Sequence, residues 1–199
     1  MLDLIKRRLD KYQPLTINRD LPEAGVLIAI TDEAEPQVVL TKRASQLTSH
    51  SGEIAFPGGK RDATDIDILH TALREAHEEV DLNPEQVNLI GRLDDKVSLH
   101  QLKVSPCVGI ISPSIVLTAH LAELDCVFKV PLSYFLDPAN RCDHLSEYHA
   151  KAKYAPCYIF NGHLIWGLTS YILMEFLNVS LQAKIELQAQ PGMKLAAKG

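Results

Sequence analysis

The apolar positions of the chain change period along its length, and those changes mark out its elements. Leu2, Ile5 and Leu9 fall on one side of a short amphipathic helix predicted over residues 2–12, after which Pro14 and Pro22 frame a linker. Val26, Leu27, Ile28, Ala29 and Ile30 form a continuous apolar run, as a strand buried on both faces would. Strands are therefore predicted over 24–31 and 37–41, with a turn between them. Leu69, Ala72, Leu73, Ala76 and Val80 return to three- and four-residue steps and predict an amphipathic helix. Thr64 and Asp67 have the spacing of a capping box, so this helix is expected to start near Asp65, and Pro84 stops it. Strands follow over 87–93 and 102–111, the second apolar enough to be central. The polar connection 94–101 reads as a hairpin or as a loop able to close over a ligand. Residues 139–152 read as irregular or as a pair of edge strands. A strand over 154–160, a turn at Asn161-Gly162 and a helix over 167–181 complete the pattern, with a loose tail after about 190. The alternation of strands and helices predicts one α/β domain spanning 1–199, a mixed β-sheet sandwiched between α-helices.

Composition narrows the class. The chain has 199 residues, 46% hydrophobic and 23% charged, enough for one sizeable core. A net charge of −5 argues against a general nucleic-acid binder and leaves a nucleotide substrate open. Asp3, Lys6, Arg7 and Arg8 interrupt any leading apolar run, so no signal peptide is expected. The last helix is too short for a membrane span, and Glu175 interrupts it. Four cysteines, Cys107, Cys126, Cys142 and Cys157, form no CxxC pair. Three lie in apolar runs, so reduced core thiols and a cytoplasmic home are expected, without a disulfide framework.

The chemistry concentrates in one stretch. Pro57-Gly58-Gly59 can approach a ligand closely, and it leads through an acidic linker into the helix that carries Arg74, Glu75, Glu78 and Glu79. The three glutamates stand at i, i+3 and i+4, so they share a face bordering the apolar stripe. Like charges so placed need compensation, from Arg74 and from a hard divalent cation that prefers oxygen ligands. On its own, such a face is more often simply solvated; the glycine loop in front of it is what points to a site.

Residues Gly59 to Leu82 resemble the Nudix box, G-x5-E-x7-R-E-U-x-E-E-x-G-U with U apolar, at Gly59, Arg74, Glu75, Ala76, Glu78, Glu79 and Leu82. Three departures stand out: a spacing from Gly59 to Arg74 one residue longer, Asp65 in place of the first Glu, and Asp81 in place of the second Gly. Residues Leu40 to Gly59 also resemble L-L-T-x-R-S-x-x-L-x-x-H-x-G-x-x-x-F-P-G-G, the extra signature of the coenzyme A pyrophosphatase branch, with Val39 and Ala44 as mild replacements. Leu121 to Leu132 and the His163–Thr169 lead-in to the last helix are similar to later segments of that branch.

The resemblance implies a Nudix fold and hydrolysis of a diphosphate with Mg2+ or Mn2+ as cofactor. Glu75, Glu79 and Glu78 would hold the cation beside the Gly59 carbonyl, and Arg74 would orient a carboxylate. Glu78, Glu79 or Glu123 would be the base, with Glu123 otherwise a surface turn residue. The implied small-molecule substrate is coenzyme A or a derivative, cleaved to a 4′-phosphopantetheine species and adenosine 3′,5′-bisphosphate. Lys42, Arg43, Lys60, Arg61 and His50 are candidate substrate contacts; as a bland alternative, they are ordinary polar surface. Alternatives are a Nudix hydrolase of ADP-ribose, NADH or a nucleoside triphosphate, and a catalytically silent nucleotide-binding module. No nucleic-acid or membrane partner is expected, and a homodimer stays open.

Overall fold

The computed structural model describes residues 1–46, 51–148 and 151–186. The chain runs α1 (Leu2–Leu9), β1 (Glu23–Thr31), β2 (Gln37–Arg43), β3 (Ile54–Ala55), β4 (Gly58–Lys60), α2 (Ile68–Val80), β5 (Asn88–Arg92), β6 (Lys96–Val97), β7 (Lys103–Ile111), β8 (Leu124–Pro131), α3 (Leu132–Leu136), β9 (Arg141–Tyr148), β10 (Lys151–Phe160), β11 (His163–Ile165) and α4 (Gly167–Leu181). Eight strands make one mixed sheet whose main path is β3-β2-β1-β7-β5, and three more make a separate antiparallel sheet, β11-β10-β9.

The apolar run of β1 is explained by its place at the centre. β1 and β7 pair in parallel from Glu23 opposite Lys103 to Thr31 opposite Ile111, so both of their faces are covered. On one face, Leu27, Ala29, Val39 and Cys107 pack with Ala72, Ala76 and Val80 of α2. On the other, Ile28, Ile30, Val38 and Leu40 pack with Leu2, Ile5 and Leu9 of α1 and with Leu173 and Leu177 of α4. Gly25 sets the height of α2 over the sheet: a Cβ there would meet the Ile68 carbonyl at 2.7 Å and the Ala72 nitrogen at 2.9 Å.

Three expectations need correction. The helix of the acidic stretch begins at Ile68, not near Asp65, because Asp67 is its cap and accepts the His70 amide at 2.8 Å. Thr64 instead donates its backbone and hydroxyl to Asp62, closing a turn before the helix. The N-terminal helix ends at Leu9 rather than near residue 12; Tyr12 then reaches across to donate to Asp94 at 2.7 Å. Cys157 is not a thiol: it faces Cys142 across β9–β10 and is bonded to it, while Cys107 and Cys126 are free. Sequence separation hides this pair, because only the hairpin register sets the two residues opposite each other.

The connection 94–101 is a hairpin through β6, and its acids anchor the N-terminal segment. Asp94 accepts from Leu15, and Asp95 accepts from Ile17 and Ser105. Glu175 of α4 is buried against Lys96, which reconciles a carboxylate with an apolar helix. No helix among the described residues is long and apolar enough to cross a membrane. His50 and the tail after 190 lie outside the described residues.

Because the disulfide spans a separation of 15 residues, Cys142→Ser should lower stability by roughly 3 kcal/mol, read by urea unfolding without reductant. Thiol labelling of the unfolded wild type should tag two cysteines before reduction and four after it. Four tags before reduction would show that the bond does not form.

Candidate active site

Arg74, in the middle of α2, gathers the acids of the loop and helix. Its Nε donates to Asp65 Oδ1 at 2.9 Å and its Nη2 to Asp65 Oδ2 at 3.0 Å, a two-pronged pairing that suits a planar guanidinium. Nη2 also donates to Glu75 Oε1 and to the Lys60 carbonyl, each at 3.0 Å, and Nη1 donates to Glu78 at 2.9 Å. The charge of Asp65 and of two of the three glutamates, Glu75 and Glu78, is thus gathered around one cation.

Asp65 is the buried end of this arrangement, its side chain 0% exposed. It accepts from the Asp62 amide at 2.9 Å and the Thr71 hydroxyl at 2.9 Å, and meets His70 Nδ1 at 2.8 Å. The Arg74 guanidinium, aided by those hydrogen bonds, holds its carboxyl well below the usual range. Asp65, standing where the Nudix pattern has its first acid, therefore fixes Arg74 from outside the helix.

Glu79 faces the other way, into the protein. It is 4% exposed, accepts the Gly58 amide at 3.0 Å, and lies 3.8 Å from Arg43 Nη1. Burial pushes its carboxyl up to about 7, with the charges of Glu75 and Glu123 adding to the effect against the Gly58 amide and Arg43. Glu75 is raised too, first by burial. The glycine loop is shaped around these acids: a Cβ at residue 59 would run into the Glu75 carboxylate, and one at residue 58 into the backbone of β1. Gly58 also has φ +154°, a conformation that side chains disfavour.

Glu123 arrives from the long β7–β8 connection. The amides of Thr118 and His120 donate to the Val80 and Glu79 carbonyls, so this loop closes the end of α2. Asp81 caps that end at φ 57°, filling the left-handed position where the Nudix pattern has glycine. Glu123 is half exposed, 3.8 Å from His120, and its carbonyl accepts from Ala44 at the end of β2.

The fold therefore brings Gly59, Arg74, Glu75, Glu78, Glu79, Glu123 and Arg43 to one place. It turns three other candidates elsewhere. Lys42 pairs with Asp125 at 3.0 Å, Arg61 pairs with Glu23 at 2.7 Å, and Lys60 joins the cluster only through its carbonyl. Two partners escaped sequence reasoning, His70 and Thr71, whose contacts with Asp65 depend on the turn before the helix. Among the described residues, no three His, Cys, Asp or Glu side chains converge at metal-ligand spacing. Glu75 and Glu78 are turned toward Arg74, and Glu79 toward Gly58. The donor set nonetheless suits a hard divalent cation: two carboxylates whose charge is raised in cost by burial, packed closely against the glycine backbone.

Residues 21–133 match the NUDIX domain family. The chain belongs to the Nudix hydrolase family. It is 36% identical over 170 residues to the "Uncharacterized Nudix hydrolase NudL" of Photorhabdus laumondii, covering 81% of this chain and 87% of that one. It is 38% identical over 177 residues to the protein of the same description from Salmonella paratyphi B, covering 87% and 92%. Among solved structures, a MutT/nudix family protein from Enterococcus faecalis superposes with a TM-score of 0.52 at 15% identity, covering 85% of this chain and 66% of that one, a likeness of fold. The Nudix helix of this chain is α2.

Asp65→Asn should cost roughly 2 kcal/mol in urea unfolding near neutral pH, because it strips one charged, two-pronged partner from a guanidinium that keeps Glu75 and Glu78. The sign of the pH effect follows from the depressed carboxyl. The stabilisation is full above the unfolded value of about 3.9 and drains away as pH falls below it toward the folded value. The variant should lose less stability than the wild type on acidification below about pH 4. Equal acid sensitivity in the two proteins would show that Asp65 does not contribute it.

Proposed function

We propose that this Nudix hydrolase cleaves the diphosphate of coenzyme A and its derivatives, giving a 4′-phosphopantetheine species and adenosine 3′,5′-bisphosphate. The observation that carries the hydrolytic part is the buried Glu79, set between the Gly58 amide and Arg43 and beside Glu75. The coenzyme A part is supported by the resemblance over Leu40–Gly59, which supplies β2, Arg43 and the glycine loop of the site.

In this reading, Glu75, Glu79 and Glu78 hold Mg2+ or Mn2+ with the Gly59 carbonyl at hand. When bound, the cation supplies positive charge against the phosphoryl oxygens and lowers the pKa of water. Arg74 keeps Glu75 and Glu78 aimed and, through Asp65, ties the helix to the loop. Arg43, projecting to Glu79 from β2, meets the substrate phosphate. A water oxygen bonds to one phosphorus as the bridging P–O bond breaks, and the water's proton passes to a carboxylate. That base is one of Glu78, Glu79 and Glu123. Glu78 is held by Arg74 and Glu79 by Gly58, while Glu123 stands half exposed near His120.

Hydrolysis of a panel tests this directly: coenzyme A, an acyl derivative, dephospho-coenzyme A, NADH and ADP-ribose, with Mg2+ or Mn2+ and with EDTA as control. Coenzyme A should turn over fastest, releasing adenosine 3′,5′-bisphosphate, and EDTA should stop it. Faster turnover of ADP-ribose or NADH would discard the substrate assignment, and no turnover at all would favour a silent binding module. Glu79→Gln should reduce the rate on the order of 10²–10⁴-fold with the fold intact by circular dichroism. Gly59→Ala should also lose activity, since its methyl displaces the Glu75 carboxylate. Full activity in both variants would sink the assignment.

A further inference from the structure

A second cavity lies on the opposite side of β2 from the glutamates. Along that strand, Val39 packs on the Nudix-helix side and Val38 and Leu40 on the α4 side. Alternation places Arg43 with the first set, near Glu79, and Lys42 with the second. Lys42 opens into a cleft of about 500 Å3, lined also by Ile54, Asn161, His163, Leu164 and Trp166.

The far wall is built to keep its shape. Trp166 leans on His144 with ring centres 4.8 Å apart, and His163 stacks on Phe128 at 4.4 Å. The Cys142–Cys157 bond ties together the two strands behind this wall, and the Tyr134 hydroxyl donates to the Ile159 carbonyl at 2.6 Å. Thr169 donates to the Ile54 carbonyl at 3.0 Å, joining the wall to the floor. That floor leads straight to the acids: Ile54 lines the cleft, and Gly58, four residues on, donates to Glu79. Four extended residues span at most about 14 Å. A substrate whose diphosphate sits at the glutamates can therefore lay a long arm round the short edge strand β3 into the cleft.

The charge of the cleft selects the arm. Its lysine is already matched, since Lys42 lies 3.0 Å from Asp125. A phosphate entering there would meet at least as much negative as positive charge. Trp166 and Leu164 offer apolar surface to methyl and methylene groups, Asn161 offers hydrogen bonds to amides, and Ser51, whose hydroxyl donates to the Ser45 carbonyl, keeps a lone pair for an amide N–H. We infer that this cleft is the subsite for the uncharged, amide-bearing arm of the substrate, the pantetheine side of coenzyme A, with the 3′-phosphate held elsewhere. The inference rests on the coenzyme A reading above.

Trp166 is the only tryptophan of the chain, so its emission reports on the cleft directly. Pantetheine alone should change that emission saturably, and adenosine 3′,5′-bisphosphate should leave it unchanged. Trp166→Ala should raise the KM for coenzyme A about tenfold with kcat nearly kept. Asn161→Gly retains the left-handed turn at φ 49° while removing the amide, and should raise KM about fivefold, the worth of one hydrogen bond. In both variants, inhibition by adenosine 3′,5′-bisphosphate should match the wild type. A wild type that hydrolyses coenzyme A, yet whose emission responds to the bisphosphate and not to pantetheine, overturns the subsite and leaves the function standing. Unchanged KM in both variants does the same. A wild type inert toward coenzyme A overturns the functional reading, and the subsite falls with it.

Discussion

Placing several carboxylates at the edge of a core is possible here because one guanidinium answers for most of them. Arg74 is shared by Asp65, Glu75 and Glu78, and it also holds the Lys60 carbonyl. Asp65 lies before the helix and Lys60 in the glycine strand, so the same side chain that balances the charge also fixes the loop to the helix. Arginine suits this task because its planar fork gives several donors in fixed directions, which a lysine could not supply. The first turn of the helix holds no acidic residue, and the Asp67 cap supplies the negative charge that its positive end favours.

Glu79 is the exception. It receives no help from Arg74 and sits almost wholly buried, with one amide and a more distant Arg43 for company. Such a group is unfavourable to folding as a charge, and its raised carboxyl records that cost. Proteins place strained electrostatics of this kind at functional sites, where a ligand of opposite charge restores the balance. The glycines opposite supply room that no side chain would leave, and Gly25 lets the helix lie close enough to β1 for Glu79 to reach the loop.

Strand β2 connects the site to the rest of the molecule. Its alternation sends Arg43 to the glutamates and Lys42 to the second cleft, and β8 on its edge delivers Glu123 at one end and Phe128 further along. A shift of register between Lys42 and Arg43 falls where these two directions part. The small second sheet, clasped by Cys142–Cys157, then forms the far wall of the cleft.

Much of this was legible in the residues alone. The order of the main elements, the central place of β7 and the span of α4 from Gly167 to Leu181 follow from local periodicity, and the Nudix pattern of the loop and helix from its resemblance to a known family motif. These are properties of neighbouring residues, which a linear sequence displays. Tertiary structure decided what depends on residues far apart in the chain. Asp65 was expected to begin a helix and instead anchors Arg74, because the turn before the helix points it inward. Lys42, Arg61 and Arg43 look alike in sequence, yet the first two are matched by Asp125 and Glu23, and the third faces Glu79. Cys142 and Cys157 gave no sign of pairing until a hairpin register set them face to face. Sequence determined which chemical groups the protein carries and the local elements that bear them; three-dimensional packing determined which of those groups meet, because burial and charge pairing are settled only between surfaces that the fold brings together.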